Sequence, residues 1–230
     1  MTTTDGSGPA WQRTMPARLI HAAVALLCAA GLASSLYLGW TRDTHLPIGA
    51  GFGGGFAAGW DHMLNQPAYF TFVSGALAGV TSAVLALRPQ ISSVVLHALR
   101  LAGVVCVLIT GLVFNLLLRG DDLLRGAQLF NDTVLHLIVP VVVPLVWLIL
   151  GPHGRISGRA VLLSTVIPLA WLGVTLARGP RLDWYPYDIL DVPRMGYAGV
   201  GLYVGAILAA YVVLALLLWG ADRLLSRRVS

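Results

Sequence analysis

Six stretches of this sequence, at about 18–39, 68–87, 91–118, 131–150, 159–178 and 197–220, run for nearly 20 residues or more with almost no charge. Crossing ~30 Å of hydrocarbon in a helix takes roughly 20 apolar residues, and a backbone in lipid has to satisfy its own hydrogen bonds. The sequence therefore predicts an all-α polytopic membrane protein, with six transmembrane helices in one bundle over residues 18–220. The longest gap between stretches, 40–67, is too short and too rich in glycine to bury a core of its own. Residues 1–17 read as a polar, disordered N-terminal segment and 221–230 as a basic tail.

With 57% hydrophobic and 11% charged residues, the composition lies outside the range of ordinary soluble domains. Every base is Arg and every acid is Asp, a bias that points weakly to a GC-rich bacterial genome and hence to a bacterial cytoplasmic membrane. The net charge of +5 raises the question of nucleic acid. These charges are spread over short loops instead of gathering on one helix or arm, so no nucleic-acid partner is expected.

Loop charges also set the topology. One side carries Arg13, Arg18, Arg88, Arg155, Arg159, Arg223, Arg227 and Arg228 against Asp5 and Asp222. The other carries Arg42, Arg119, Arg125, Arg178, Arg181 and Arg194 with Asp43, Asp61, Asp121, Asp122, Asp183, Asp188 and Asp191. Basic residues favour the cytoplasmic side, so both termini are expected to be cytoplasmic. The first stretch, preceded by Arg13 and Arg18 and closing on small residues at Gly31–Ser35, has an alternative reading as a signal peptide. It is long for that role, and its loss would spoil the charge asymmetry. Cys28 and Cys106 fall near mid-membrane and read as small packing residues, not a disulfide.

The 40–67 segment, TRDTHLPIGAGFGGGFAAGWDHMLNQP, is too glycine-rich to predict a stable helix, and its GAGFGGGF fits neither phosphate-loop pattern. Two readings stand: a flexible connector, or an interfacial lid whose Phe52, Phe56 and Trp60 dip into lipid. Short cytoplasmic hinges are expected at Arg88-Pro89 and at Gly151-Pro152-His153-Gly154. The outer loop 179–196 carries aromatic residues where Trp and Tyr anchor a membrane interface.

Polar groups inside an apolar helix are costly, and each is a candidate for function. AYFTFVSGAL, residues 68–77, places Thr71 and Ser74 one turn apart at the outer start of the second stretch. At ~1.5 Å per residue, Thr71 and His136 share a depth in the outer leaflet. Asn115 closes the third stretch at the same end, and Asn131 and Asp132 open the fourth. A hydroxyl beside an imidazole suggests nucleophilic catalysis, because histidine is tuned to take a proton near neutrality. Asp132, four residues before His136, has the spacing to orient it, and Asn115 or Ser74 to donate to a developing oxyanion.

Each group also has a plain structural reading. Thr71 can bond its own helix, His136 and Asn115 can tie helices together, and Asn131 and Asp132 can cap a helix N-terminus. Tyr185, Tyr187 and Asp188 can close an outer mouth or serve as interface anchors around a turn set by Pro186. His45, Asp61, His62 and His136 raise the possibility of zinc, but no H-E-x-x-H or compact ligand motif is present, and no metal or cofactor is expected. His21, His97 and Arg100 lie near the inner ends of their stretches and read as snorkelling or interhelical groups.

Three segments, YFTFVSGAL at 69–77, NDTVLHLIVPVVVPLVW at 131–147 and WYPYDILD at 184–191, taken with six spans, resemble the androgen-induced-gene and androgen-dependent TFPI-regulating-protein family, including its bacterial six-span relatives. The resemblance covers most of the chain and rests on F-T-x-x-S, on the run from Asn131 and Asp132 through His136 to Pro140, and on the Y-P motif. It implies an intramembrane threonine hydrolase of fatty acid esters of hydroxy fatty acids, with Thr71 as nucleophile, His136 as its partner and a lipid ester as substrate. Gly75 stands where bacterial relatives tend to have Asn. A different class of function, a non-enzymatic transporter or lipid-binding membrane protein, would use the same polar layer only to hold helices or a ligand. A transport path would need polar residues through the whole depth, whereas these crowd the outer third.

Overall fold

Pro16 sits in the first turn of α1 (Met15–Thr41), where its missing N–H leaves no bond unmade. Six helices of the computed structural model are long and apolar enough to cross a membrane: α1, α3 (Phe70–Leu87), α4 (Val94–Leu118), α5 (Ala127–Leu150), α6 (Gly158–Leu182) and α7 (Val192–Arg227). A short α2 (Trp60–Asn65) precedes α3. The structure describes residues 14–91, 93–120 and 123–227, and among them all regular structure is helical. Most of the expected N-terminal segment, the end of the basic tail, and Asp121 and Asp122 of the charge tally lie outside the described residues. The outermost helices run past the expected limits of 18 and 220, because a helix continues beyond its apolar stretch until the chain must turn.

Small residues decide how closely the helices pack. The buried face of α1 is Ala17, His21, Val24, Cys28, Gly31 and Ser35, a 3-4 spacing that makes a narrow seam against α3 and α5. A Cβ on Gly79 of α3 would stand 2.9 Å from Cys28 Cβ, and one on Gly31 would stand 2.5 Å from a methyl of Leu135. Both cysteines are free and buried as packing residues. α4 is buried nearly all round and packs against α3, α5, α6 and α7, so it forms the core of the bundle. At one end of the bundle the hinge after α5 is pinned to α7, where fully buried Asp222 accepts from the amides of Gly154 and Ile156, each at 2.9 Å.

The other end, which carries Thr71, has a built cap. Within the 40–67 segment, residues 42–59 are tied down by hydrogen bonds and not a loose connector, and Phe52 and Phe56, two of the three aromatic residues of the expected lid, turn inward. Gly51 N donates to Asp191 Oδ2 at 2.7 Å, Gly54 N to the Asp183 carbonyl at 2.7 Å, and Thr44 N to the Phe56 carbonyl at 2.9 Å. Two of the cap's glycines are needed for clearance: a Cβ on Gly54 would collide with the carbonyls of Leu182 and Asp183, and one on Gly51 would stand 2.6 Å from Arg194 N. Phe52 and Phe56 point inward, edge-on to Tyr185 and Trp184, while Trp60 stays exposed against Trp40. Trp60–Asn65 is helical although the segment reads as glycine-dominated, since the glycines end at Gly59 and the following WDHMLN contains none.

Candidate active site

Thr71 is the second residue of α3, after a first turn opened by Tyr69. Its Oγ1 lies 3.3 Å from His136 Nε2. On the far side of the ring, His136 Nδ1 lies 3.0 Å from Asp132 Oδ1. An ionised carboxylate only accepts, so Nδ1 carries the proton and Nε2 turns its lone pair to the threonine hydroxyl. Arg119 fixes Asp132 in turn, with Nη1 at 3.1 Å from Oδ2 and Nη2 at 3.3 Å from Oδ1, a two-pronged grip that a guanidinium is shaped to make.

His136 is also held by its ring face. Phe114 stacks on it with ring centroids 3.5 Å apart and planes 2° from parallel, and the Arg119 guanidinium lies 5.1 Å from the Phe114 centroid on its way to Asp132. Both helices are wound as π-helix here, over Phe114–Leu118 and Thr133–Ile138. Such turns re-aim side chains and recur at functional sites. Pro140 supplies a local cause: it has no N–H for the carbonyl four residues back, which is that of His136. Asn115 Nδ2 donates to this freed carbonyl at 2.9 Å and to that of Gly111 at 2.7 Å. Gly111 lets the helices meet, since a Cβ there would stand 2.6 Å from Pro140 Cβ.

Tyr187 reaches Thr71 from the 183–191 loop. Its hydroxyl accepts from Thr71 N–H at 3.3 Å and lies 3.5 Å from Thr71 Oγ1. That N–H is one of the donors a helix start leaves without an intrahelical partner. Burial pushes the Tyr187 phenol above its ordinary value, so it stays protonated and keeps a proton to donate.

Two cavities meet at this point. An apolar one of about 90 Å³ lies between Phe70, Trp171, Ile207 and Tyr211, and a polar vestibule of about 550 Å³ is bordered by Arg42, His45, His62, Gln66 and Asp188. Thr71, Phe114, Leu118 and Tyr187 border both.

The remaining sequence candidates have other contacts. Ser74, 1% exposed, gives its proton to the Thr71 carbonyl or to Thr110 Oγ1, each at 3.0 Å, and borders neither cavity. Asn115 has both amide hydrogens on carbonyls and its oxygen on Arg119 Nε at 2.9 Å, so it braces the helices instead of facing Thr71. Asn131 borders the vestibule but donates to the Gly31 carbonyl and to Ser34 and Ser35, tying α5 to α1. Neither Asn131 nor Asp132 is an N-cap, because α5 begins at Ala127 after Gly126. Tyr185 is buried against Phe52 and Gly179 under the cap and borders neither cavity. Asp188 borders the vestibule, with Oδ1 buried and unpartnered among the described residues. Arg119 and Phe114 escaped the sequence reading, one as a loop charge and the other as an apolar residue of its span. Compared with protein-family models, curated proteins and solved structures, the chain matches none of them.

Proposed function

We propose that the chain is an intramembrane lipid ester hydrolase that uses Thr71 as nucleophile and His136 as general base and acid. The observation that carries this reading is the linear relay from Thr71 Oγ1 through His136 to Asp132 and Arg119, with its hydroxyl at the junction of the two cavities. His136 Nε2 takes the hydroxyl proton as Oγ1 bonds to the ester carbonyl carbon. The imidazolium then protonates the leaving alcohol, an acyl-threonine remains, and water from the vestibule, deprotonated by the same nitrogen, releases the acid. Tyr187 O–H, 3.5 Å from Thr71 Oγ1, is the donor available to the carbonyl oxygen as it becomes an oxyanion.

The apolar cavity suits an acyl chain, and the vestibule suits the alcohol part and water. Fatty acid esters of hydroxy fatty acids, the substrates implied by the sequence resemblance, fit this division, as do related lipid esters. We place the protein in a bacterial cytoplasmic membrane with both termini inside and the relay near the outer face, on the strength of the loop charges. A second reading, a non-enzymatic lipid-binding or transport protein, is favoured by the apolar cavity alone, which would hold a lipid chain without any chemistry.

Purified protein treated with a fluorophosphonate probe, beside Thr71→Ala and His136→Ala, tests the proposal. Labelling of the wild type that is lost in both variants, with hydrolysis of a lipid ester panel falling to background in Thr71→Ala and partly kept in Thr71→Ser, is the expected result. A folded wild type that neither labels nor hydrolyses any ester would move the assignment to lipid binding, and a fully active Thr71→Ala would remove the relay from the chemistry.

A further inference from the structure

The apolar cavity beside Thr71 ends on a tyrosine. Along α7 its lining runs inward from Val204 through Ile207 and Leu208 to Tyr211, a depth of ~10 Å at ~1.5 Å per residue. The α4 wall reaches inward as far as Ile109, and the α6 wall as far as Pro168. Because α4 and α6 run towards the Thr71 end of the bundle and α7 runs away from it, Ile109, Pro168 and Tyr211 form the innermost layer. All three are buried, with Tyr211 3% exposed and Ile109 4%.

This floor is fixed in place. The Tyr211 hydroxyl donates to the Ser164 carbonyl at 2.8 Å, with Ser164 Oγ at 3.1 Å, so the ring bridges α7 to α6. Swinging it aside would leave a buried hydroxyl without a partner. One turn further in, Cys106 and Ala215 are 0% exposed and belong to the same buried cluster as Tyr211. The space above the floor limits length. An extended carbon chain advances ~1.25 Å per bond at ordinary bond length and angle, so ~10 Å takes about eight bonds. Volume is the tighter limit, at about 90 Å³. A cavity of roughly 150 Å³ holds one benzene, and in that proportion this one holds about four carbons.

We propose that Tyr211 determines acyl-chain specificity: it stops the acyl group of the ester at about four to eight carbons, so the favoured substrates are esters of short and medium straight-chain acids. Any longer chain is then on the alcohol side. Each methylene that fits adds buried apolar area, and the first that does not meets a packed ring. The chemistry at Thr71 is that of the hydrolase reading, on which this rests, whereas the floor limits a bound chain with or without catalysis.

The experiment is a chain-length profile of kcat/KM for nitrophenyl acetate, butyrate, hexanoate, octanoate, laurate and palmitate, run on the detergent-purified wild type, Tyr211→Phe and Tyr211→Ala. Comparing proteins at each length cancels partitioning of the esters into detergent. A wild-type profile that falls about tenfold or more between octanoate and laurate, kept in Tyr211→Phe and carried to longer chains in Tyr211→Ala, supports the floor. If Tyr211→Ala does not fold, Ile109→Ala opens the same layer from α4 and is expected to give the same displacement. A wild-type profile that is flat or rises from hexanoate to palmitate, or a limit unmoved in the folded variants, would overturn it. Should no ester be hydrolysed, the hydrolase reading fails by itself, and the floor is read from binding, as the rise in unfolding temperature with butyric to palmitic acids. The same length limit and the same displacement there support it, and their absence overturns it.

Discussion

A threonine hydroxyl is a feeble nucleophile, so on the hydrolase reading what matters at Thr71 is which atoms can take or steer its proton. Asp132 Oδ1 keeps the His136 proton on Nδ1, so Asp132→Asn, whose amide can present N–H to the ring instead, is expected to favour the wrong tautomer. On the hydrolase reading this substitution lowers kcat by ~10³–10⁴ while the protein still binds substrate, as a kcat and KM comparison would show. Tyr187→Phe removes the phenol proton and leaves the ring packed against Tyr69 and Trp171. It is expected to cost ~10²–10³ in kcat with little change in KM, the mark of a donor used in the transition state. The sequence made Thr71, Asp132 and His136 legible because ionisable and hydroxyl groups stand out in apolar helices. Arg119 and Phe114 did not stand out: a guanidinium at a helix end looks like any loop charge, and a ring stacked on histidine looks like any membrane phenylalanine.

At the level of the helix, the placement of His136 depends on a hydrogen bond that proline cannot make. The His136 carbonyl relies on Asn115 across the helix interface instead of on the amide of residue 140. Asn115→Leu should therefore destabilise the protein by about 1–3 kcal/mol, the usual cost of a buried polar group left alone, and displace the imidazole. Pro140→Ala returns an amide to that position, so the double variant is expected to recover part of the loss, which thermal unfolding of the four members of the cycle measures. A simple sum of the two single effects would mean that the carbonyl finds another partner. Pro140 and Asn115 were both visible in the sequence, but their pairing was not, because spacing along one helix says nothing about the rotation of the next. The same limit applied to Ser74, which shares a face with Thr71 by register yet turns its hydroxyl to the backbone and to Thr110.

For the molecule as a whole, hydropathy read the number and order of the long helices directly, since it reports length and apolar content. The cap of residues 42–59 was beyond its reach, because the carboxylates and carbonyls that hold its glycines come from a loop some 130 residues later. If both termini are cytoplasmic, fusion reporters at residue 230 and in the 88–93 loop should report the cytoplasm, and one in the 119–126 loop the outside. The reverse pattern would place the relay in the inner leaflet. The two cavities that share Thr71 differ in what they dissolve, and on the hydrolase reading that difference would give the reaction two exits. A freed acid whose chain occupies the oily cavity would leave towards the bilayer, while the alcohol would depart through the wet mouth, so that cleavage and sorting of the products become one event. Turnover in vesicles would then slow as acid accumulates in the membrane, and a sink for fatty acid outside the vesicle would restore it.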